Sequence, residues 1–150
     1  MSKGEKQEFL EKYKSYANGQ GACLLAVASG SFGEGVDLPD TVRCVVVVGL
    51  PLNSPDLETQ ELIKYYDQKF GKGWDYGYIY PAMNKVVQAA GRSIRSEKDK
   101  GVLVFLDQRF TWQSYYRCFP RDWRIKVRNE YKEDISEFWR GHQKSQSLQS

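Results

Sequence analysis

A glutamine and two arginines are spaced along one segment so that a helix would place them on the same face. Gln88, Arg92 and Arg95 stand at positions i, i+4 and i+7, and a helix turns by about 100° per residue. A guanidinium group is planar, keeps its charge and offers paired donors, which suits it to phosphate oxygens. The three side chains therefore predict recognition of a phosphate group. The alternative for this segment alone is an ordinary amphipathic helix with solvated arginines.

The other side of this segment is apolar. Its hydrophobic residues recur at helical spacing and form one stripe, which comprises Met83, Val86, Val87, Ala90 and Ile94. Such a stripe is typical of a helix that packs on a hydrophobic core. The pattern predicts one helix that starts at Pro81 and continues through Arg95.

The loop at residues 30–35 has the glycine spacing of a phosphate-binding loop, G-x-x-x-x-G. Such a loop continues with Lys and then Ser or Thr, whereas Val36 and Asp37 follow here. The glycines also run G-x-x-G-x-G, which does not fit the G-x-G-x-x-G pattern of dinucleotide-binding folds. The sequence thus argues against primary nucleotide binding by this chain alone and against a dinucleotide-dependent enzyme. The alternative for residues 34–37 is a tight surface turn.

Apolar runs alternate with helical patterns along the chain. Buried strands are predicted at residues 22–28, 44–50 and 101–107, each covered on both faces. Helices are predicted at residues 5–18, at 112–118, at 130–140 and after Ser54 and Pro55, where about 16 residues end at Gly71. Residues 71–80 form a glycine-rich loop that carries many rings. This order predicts an α/β domain with a doubly wound parallel sheet and helices on both faces.

Composition sets further bounds. The chain has 150 residues, a net charge of +3 and no apolar run near the roughly 20 residues of a membrane span. Cys23, Cys44 and Cys118 lack a C-x-x-C spacing, and His142 is the only histidine, so no metal site is expected from this chain. An odd number of cysteines, two of them in apolar runs, suits a reducing intracellular setting. Residues 1–140 are expected to form one domain, with its first strand and helix missing, and residues 141–150 a disordered tail.

Two motifs together, in their order along the chain, are more specific for a protein family than either motif alone. Residues 34–37 read Glu-Gly-Val-Asp, and about fifty residues later 88–95 read Gln-Ala-Ala-Gly-Arg-Ser-Ile-Arg. A strand that ends in Asp107-Gln-Arg109 follows. Across residues 5–140 this arrangement resembles the second motor domain of superfamily 2 helicases, and most closely the XPD family of iron–sulfur DNA helicases. Gly35 and Asp37 match its motif V, and Gln88, Gly91, Arg92 and Arg95 match its motif VI.

The resemblance implies a RecA-like fold and ATP bound between two such domains. Arg92 and Arg95 would act as arginine fingers on the γ-phosphate, and Gln88 would bind that phosphate or the attacking water. Gly35 and Asp37 would couple the nucleotide state to the grip on DNA. The first motor domain would supply the P-loop lysine, the Mg²⁺ ligands and the cysteines of the 4Fe-4S cluster. The chain alone is therefore expected to be inactive.

The resemblance also implies a 5′-to-3′ DNA helicase of nucleotide excision repair, cytoplasmic in a prokaryote and nuclear in a eukaryote. Its partners would be single-stranded DNA, the first motor domain and a regulatory protein of a repair complex. Trp74 is the candidate for stacking on a base, or else covers the edge of the core. Arg109 would contact a phosphate, with Asp107 orienting it through a charge-assisted bond, or the two form a local ion pair. The competing function is a non-catalytic RecA-like module that binds DNA or a partner protein.

Overall fold

The computed structural model describes residues 2–17, 19–27, 42–52, 54–91 and 100–147. The chain divides into two compact units, residues 1–119 and residues 120–150.

The first unit contains a parallel pair of strands, β1 (Cys44–Val48) and β2 (Val102–Leu106). Cys44 pairs with Val102 and Val48 with Leu106, so the two carboxyl ends lie side by side. The strands predicted at residues 44–50 and 101–107 are thus confirmed, as is the α/β class with a parallel sheet. The described sheet has these two strands, and the doubly wound sheet stays a prediction.

The apolar run at residues 22–28 was wrongly predicted as a buried strand. Its described part, residues 22–27, has no strand conformation, and the side chain of Leu25 is 89% exposed. An extended segment needs a neighbouring strand to satisfy its backbone groups, which hydrophobic composition alone does not supply. Cover on both faces was also wrong for β1, where Val47 is buried while Val46 and Val48 are exposed.

Helices precede and follow β1. Helix α1 is Lys3–Ala17 and helix α2 is Leu57–Phe70. Helix α2 begins after Asp56, not after Ser54 as predicted, because the Asp56 carboxylate accepts the Thr59 N–H at 2.8 Å. Its predicted end is confirmed, since Gly71 adopts the left-handed conformation at φ 64° and donates its N–H to the Asp67 carbonyl.

Residues 71–80 were predicted to form a loop, but most of them are helical. A π-helix spans Asp75–Ile79 and leads directly into helix α3, Tyr80–Ala90. The glycines serve close packing against α2: a Cβ at Gly77 would lie 2.7 Å from Ile63 Cγ1, and one at Gly73 would lie 2.7 Å from Asp67 Cβ. Sequence reasoning took these glycines as loop formers, whereas they allow two helical segments to touch.

Helix α3 supplies the centre of the core. Met83, Val86 and Ala90 are at most 1% exposed, which confirms the predicted stripe at these positions. Val87 is half-buried, and Ile94 lies outside the described residues. The α-helix ends earlier than predicted, because Gly91 is its C-cap with ψ at −5°, and glycine is a poor residue for a helix interior.

Two short helices follow β2: a 3₁₀-helix at Gln108–Thr111 and helix α4 at Gln113–Tyr116. The sequence predicted one helix at residues 112–118. The second unit contains helix α5, Lys132–Ser147, so residues 141–147, which were expected to be disordered, are helical. Cys23 and Cys44 are exposed, contrary to the burial expected from their apolar runs. No helix in the described parts of the chain is long and apolar enough to cross a bilayer.

The packing of the π-helix on α2 predicts that Gly73→Ala and Gly77→Ala each destabilise the fold. Overpacking of this kind costs about 1–3 kcal/mol, because the new methyl group has no room beside Ile63 and Asp67. Thermal and urea unfolding measure the loss. Gly4→Ala in α1 is the control, since nothing lies within 4 Å of its added Cβ. Equal stability of all three variants would contradict the close packing.

Candidate functional site

An aspartate and an arginine form a bidentate ion pair where β2 ends. Arg109 Nη2 lies 2.6 Å from Asp107 Oδ2, and its Nε lies 3.0 Å from Oδ1. The backbone N–H of Arg109 also donates to Oδ1 at 2.8 Å. Both alternatives for these two side chains include a charge-assisted bond between them, so the phosphate contact of Arg109 stays a prediction. The side chain of Asp107 is 15% exposed and that of Arg109 38%, so the guanidinium reaches the surface.

The pair lies at the carboxyl ends of both strands. Asp107 follows β2 in extended conformation and caps the 3₁₀-helix. Gly49 follows β1 at φ 76°, and a Cβ there would lie 3.9 Å from Asp107 Oδ2. The hydrogen bond from Arg109 is the main reason that the pKa of Asp107 is lowered, although desolvation opposes it. The carboxylate in turn raises the pKa of Arg109, and Tyr115 and Tyr78 add to that effect in smaller measure.

Trp74 presents its indole to solvent beside a second ring. The indole is 52% exposed, and its centroid lies 4.5 Å from that of Tyr78 at an interplanar angle of 45°. Exposure of this extent disfavours the alternative in which Trp74 only covers the core. Trp74 directly precedes the π-helix and Tyr78 lies within it, four residues later. One helical turn therefore brings the two rings together.

Tyr78 is a neighbour of Trp74, with the two rings tilted relative to each other. It also adds in small measure to the raised pKa of Arg109. The structure brings Asp107 and Arg109 together in one ion pair and places Trp74 against Tyr78. Sequence reasoning missed Tyr78, because the i, i+4 spacing that signals the contact has meaning only in a helix and the segment was predicted as a loop.

A second ion pair joins the π-helix to helix α4. Arg117 Nη2 lies 2.5 Å from Asp75 Oδ2, and the guanidinium also lies over the ring of Tyr80 at 5.9 Å. Arg117 is the C-cap of α4, and Asp75 follows Trp74 directly. The pair therefore holds α4 next to the segment that carries the exposed indole.

The predicted phosphate-binding residues are only partly within the described structure. Gln88 lies on α3 with an exposed side chain, while the buried residues of α3 include Met83 and Val86. Gly35, Asp37, Arg92 and Arg95 lie outside the described residues. Within the parts that the structure describes, no three His, Cys, Asp or Glu side chains come together as a metal site.

Comparison with known proteins gives a family match over most of the chain. The family of helicase C-terminal domains matches residues 1–126. The ATP-dependent DNA helicase chl-1 of Caenorhabditis elegans is 35% identical over 100 residues, which are 65% of this chain and 12% of that protein. The general transcription and DNA repair factor IIH helicase subunit XPD of Dictyostelium discoideum is 31% identical over 104 residues, 67% of this chain and 13% of that protein.

A vertebrate relative is similar over a longer stretch. The Fanconi anemia group J protein homolog of Gallus gallus is 36% identical over 123 residues, which are 71% of this chain and 10% of that protein. The chain thus spans about a tenth of the length of the curated relatives it matches.

The ion pair at the end of β2 predicts a pH dependence of stability. Because the pKa of Asp107 is lower in the folded state than its ordinary value of 3.8, the pair stabilises the fold fully above that value. The contribution is lost as pH falls through the lowered pKa. Urea unfolding should therefore show Asp107→Asn to be less stable than wild type at neutral pH, with a smaller difference in acid. A difference that is the same at all pH values would contradict this assignment.

Proposed function

The chain belongs to the helicase C-terminal domain family, in its XPD-type branch, and on this premise we propose that it is the second motor domain of an ATP-dependent 5′-to-3′ DNA helicase. The observation that carries the proposal is the family match over residues 1–126, which include both motifs read from the sequence. Two relatives are named as DNA helicases or helicase subunits. The parallel strands and helix α3 suit a RecA-like fold, in which the doubly wound sheet is part of the proposal.

The nucleotide-facing part is assigned to Gln88, Arg92 and Arg95. Gln88 fits this role, because its amide is exposed on α3 while Met83 and Val86 of the same helix are buried. Arg92 and Arg95 would stabilise the charge that develops on the transferred phosphoryl group. Gly35 and Asp37 would relay the nucleotide state to the DNA contacts. Hydrolysis of ATP with Mg²⁺, held mainly by the first motor domain, would supply the free energy for closing and opening the cleft.

The DNA-facing part is assigned to Trp74, Asp107 and Arg109. Trp74 offers an exposed indole, and aromatic stacking on a base tolerates any sequence. Arg109 offers a guanidinium that Asp107 holds in one orientation, which suits contact with a backbone phosphate. Successive closing and opening would move this surface along single-stranded DNA.

The wider setting of the helicase is proposed from the relatives. The XPD subunit of Dictyostelium is named for transcription and DNA repair, which supports a role in nucleotide excision repair and a regulatory partner from a repair complex. A 4Fe-4S cluster would lie in the first motor domain, and the protein would act where the DNA is, in the nucleus of a eukaryote or the cytoplasm of a prokaryote.

A non-catalytic DNA-binding module is the second candidate. One observation favours it: the described residues contain the elements of a DNA-contact surface, whereas Val36 and Asp37 stand where a nucleotide-binding loop needs Lys and Ser or Thr. The two functions predict different results when the first motor domain is added. A motor domain gains ATPase activity, whereas a non-catalytic module does not.

Addition of the first motor domain should therefore give an ATPase that single-stranded DNA stimulates. Arg92→Ala or Arg95→Ala in that assembly should lower kcat by a factor on the order of 10³–10⁵, as for other arginine fingers. Gln88→Ala should lower it less, since a neutral amide stabilises charge less than a guanidinium. Phosphate release measures the rate, and Arg121→Ala is the control for loss of an exposed arginine elsewhere.

Two results would count against the half-motor. DNA binding with no ATPase in the two-domain assembly would favour the non-catalytic module. Robust ATPase of the chain by itself that survives loss of Arg92 and Arg95 would show that the assignment of these residues is wrong.

The DNA surface predicts that Trp74 and Arg109 act on different parts of the ligand. Trp74→Leu should weaken binding of a fluorescent oligothymidylate by about 1–3 kcal/mol, with little effect on an abasic strand of the same length. Arg109→Ala should weaken the binding of both strands. It should also reduce the slope of log K against log salt by about 0.7. Fluorescence anisotropy at several salt concentrations measures both effects. Equal losses on the two strands for Trp74→Leu would contradict base stacking.

A further inference from the structure

Trp112 exposes half of its indole at the start of a short helix. Trp112 is the N-cap residue of α4, yet its side chain makes no capping hydrogen bond. Ser, Thr, Asp and Asn stabilise this position, and an indole cannot do so. The side chain is also 50% exposed, so half of its surface is not used in the core.

Part of the indole lies against a buried ring. The centroids of Trp112 and Tyr115 lie 6.3 Å apart at 45°, and Tyr115 is 7% exposed. Trp112 also donates its backbone N–H to the carbonyl of Arg109 at 3.0 Å, so the indole begins one turn after the arginine. The backbone of Trp112 is thus held one turn from that of Arg109, which carries the proposed phosphate contact.

Helix α4 connects this indole with the first one. It has four residues, so its two caps lie about 7.5 Å apart along the axis. Trp112 is the cap at one end, and Arg117 at the other end binds Asp75, which follows Trp74. Trp74 and Trp112 therefore lie on two short elements that one ion pair joins.

The chemistry of this surface fits one class of ligand. The first unit carries two half-exposed indoles and the guanidinium of Arg109, whose backbone carbonyl accepts the Trp112 N–H. Exposed rings together with a fixed positive charge match the bases and phosphates of a single strand. We propose that Trp112 is a second base-stacking residue for single-stranded nucleic acid and contacts a different base from Trp74. This assignment rests on the proposed function and extends its DNA surface.

Binding of an oligothymidylate of about 15 nucleotides and of an abasic strand of equal length tests the inference with the full chain. Trp112→Leu should bind the base-containing strand about fivefold or more weakly, the lower end for loss of one stacked base. Its affinity for the abasic strand should be unchanged, and Trp112→Phe should retain most of the binding. Phe70→Leu is the matched control, because Phe70 is also 50% exposed but packs on Tyr66 and Tyr76.

The outcomes separate this inference from the proposed function. Wild-type affinity of Trp112→Leu together with weaker binding by Trp74→Leu would overturn the role of Trp112 and leave the function standing. Equal losses on both strands would show a merely structural role and overturn it as well. Failure of the wild-type chain to bind either strand would overturn the DNA surface and this inference with it.

A measurement on the wild-type chain removes dependence on the folding of the variant. A strand with bromodeoxyuridine in place of thymidine is bound and irradiated, and the crosslinked peptides are identified by mass spectrometry. Crosslinks at both Trp74 and Trp112 are expected. Crosslinks at Trp74 alone would overturn the second stacking site.

Discussion

The contact between α2 and the π-helix is the constraint on which the site depends. Gly73 and Gly77 bring their backbone so near Ile63 that no side chain fits between them. The Asp67 carboxylate accepts the Gly73 N–H at 3.1 Å and fixes the start of the segment. With one side of the segment against α2, the ring of Trp74 stays exposed on another side. A π-helix is rare and is frequently found at functional sites, which agrees with this placement.

The same constraint relates the two proposed halves of the function. Residues 73–90 are helical without a break, from the segment of Trp74 to the end of α3. Gln88 follows Trp74 by fourteen residues, or about 20 Å along a helix. One continuous helical segment therefore runs from the proposed base contact to the proposed phosphate contact.

Local signals were enough to predict some elements and not others. The runs of β1 and β2 and the glycine at the end of α2 were predicted correctly, because each depends on residues adjacent in sequence. Residues 22–27 have equal hydrophobicity but no strand, since pairing depends on partners far along the chain. Gly73 and Gly77 were misread for the same reason: glycine favours both loops and close helix contacts, and only the position of Ile63 distinguishes them. The motifs predicted the family correctly. The contact of Tyr78 with Trp74 could be predicted only once their segment was known to be helical.

The local ion pair and the phosphate contact that the sequence left as alternatives for Arg109 are compatible. Asp107 uses the N–H of Nε and one N–H of Nη2, and a guanidinium has five N–H donors. Three donors are therefore not used by the carboxylate, and the bidentate bond fixes the plane in which they point. The nearby carboxylate reduces the net attraction of the guanidinium for a phosphate. The ion pair therefore orients the guanidinium at the expense of some binding strength. An oriented contact of moderate strength suits a motor, because a strand must be released in every cycle as well as held.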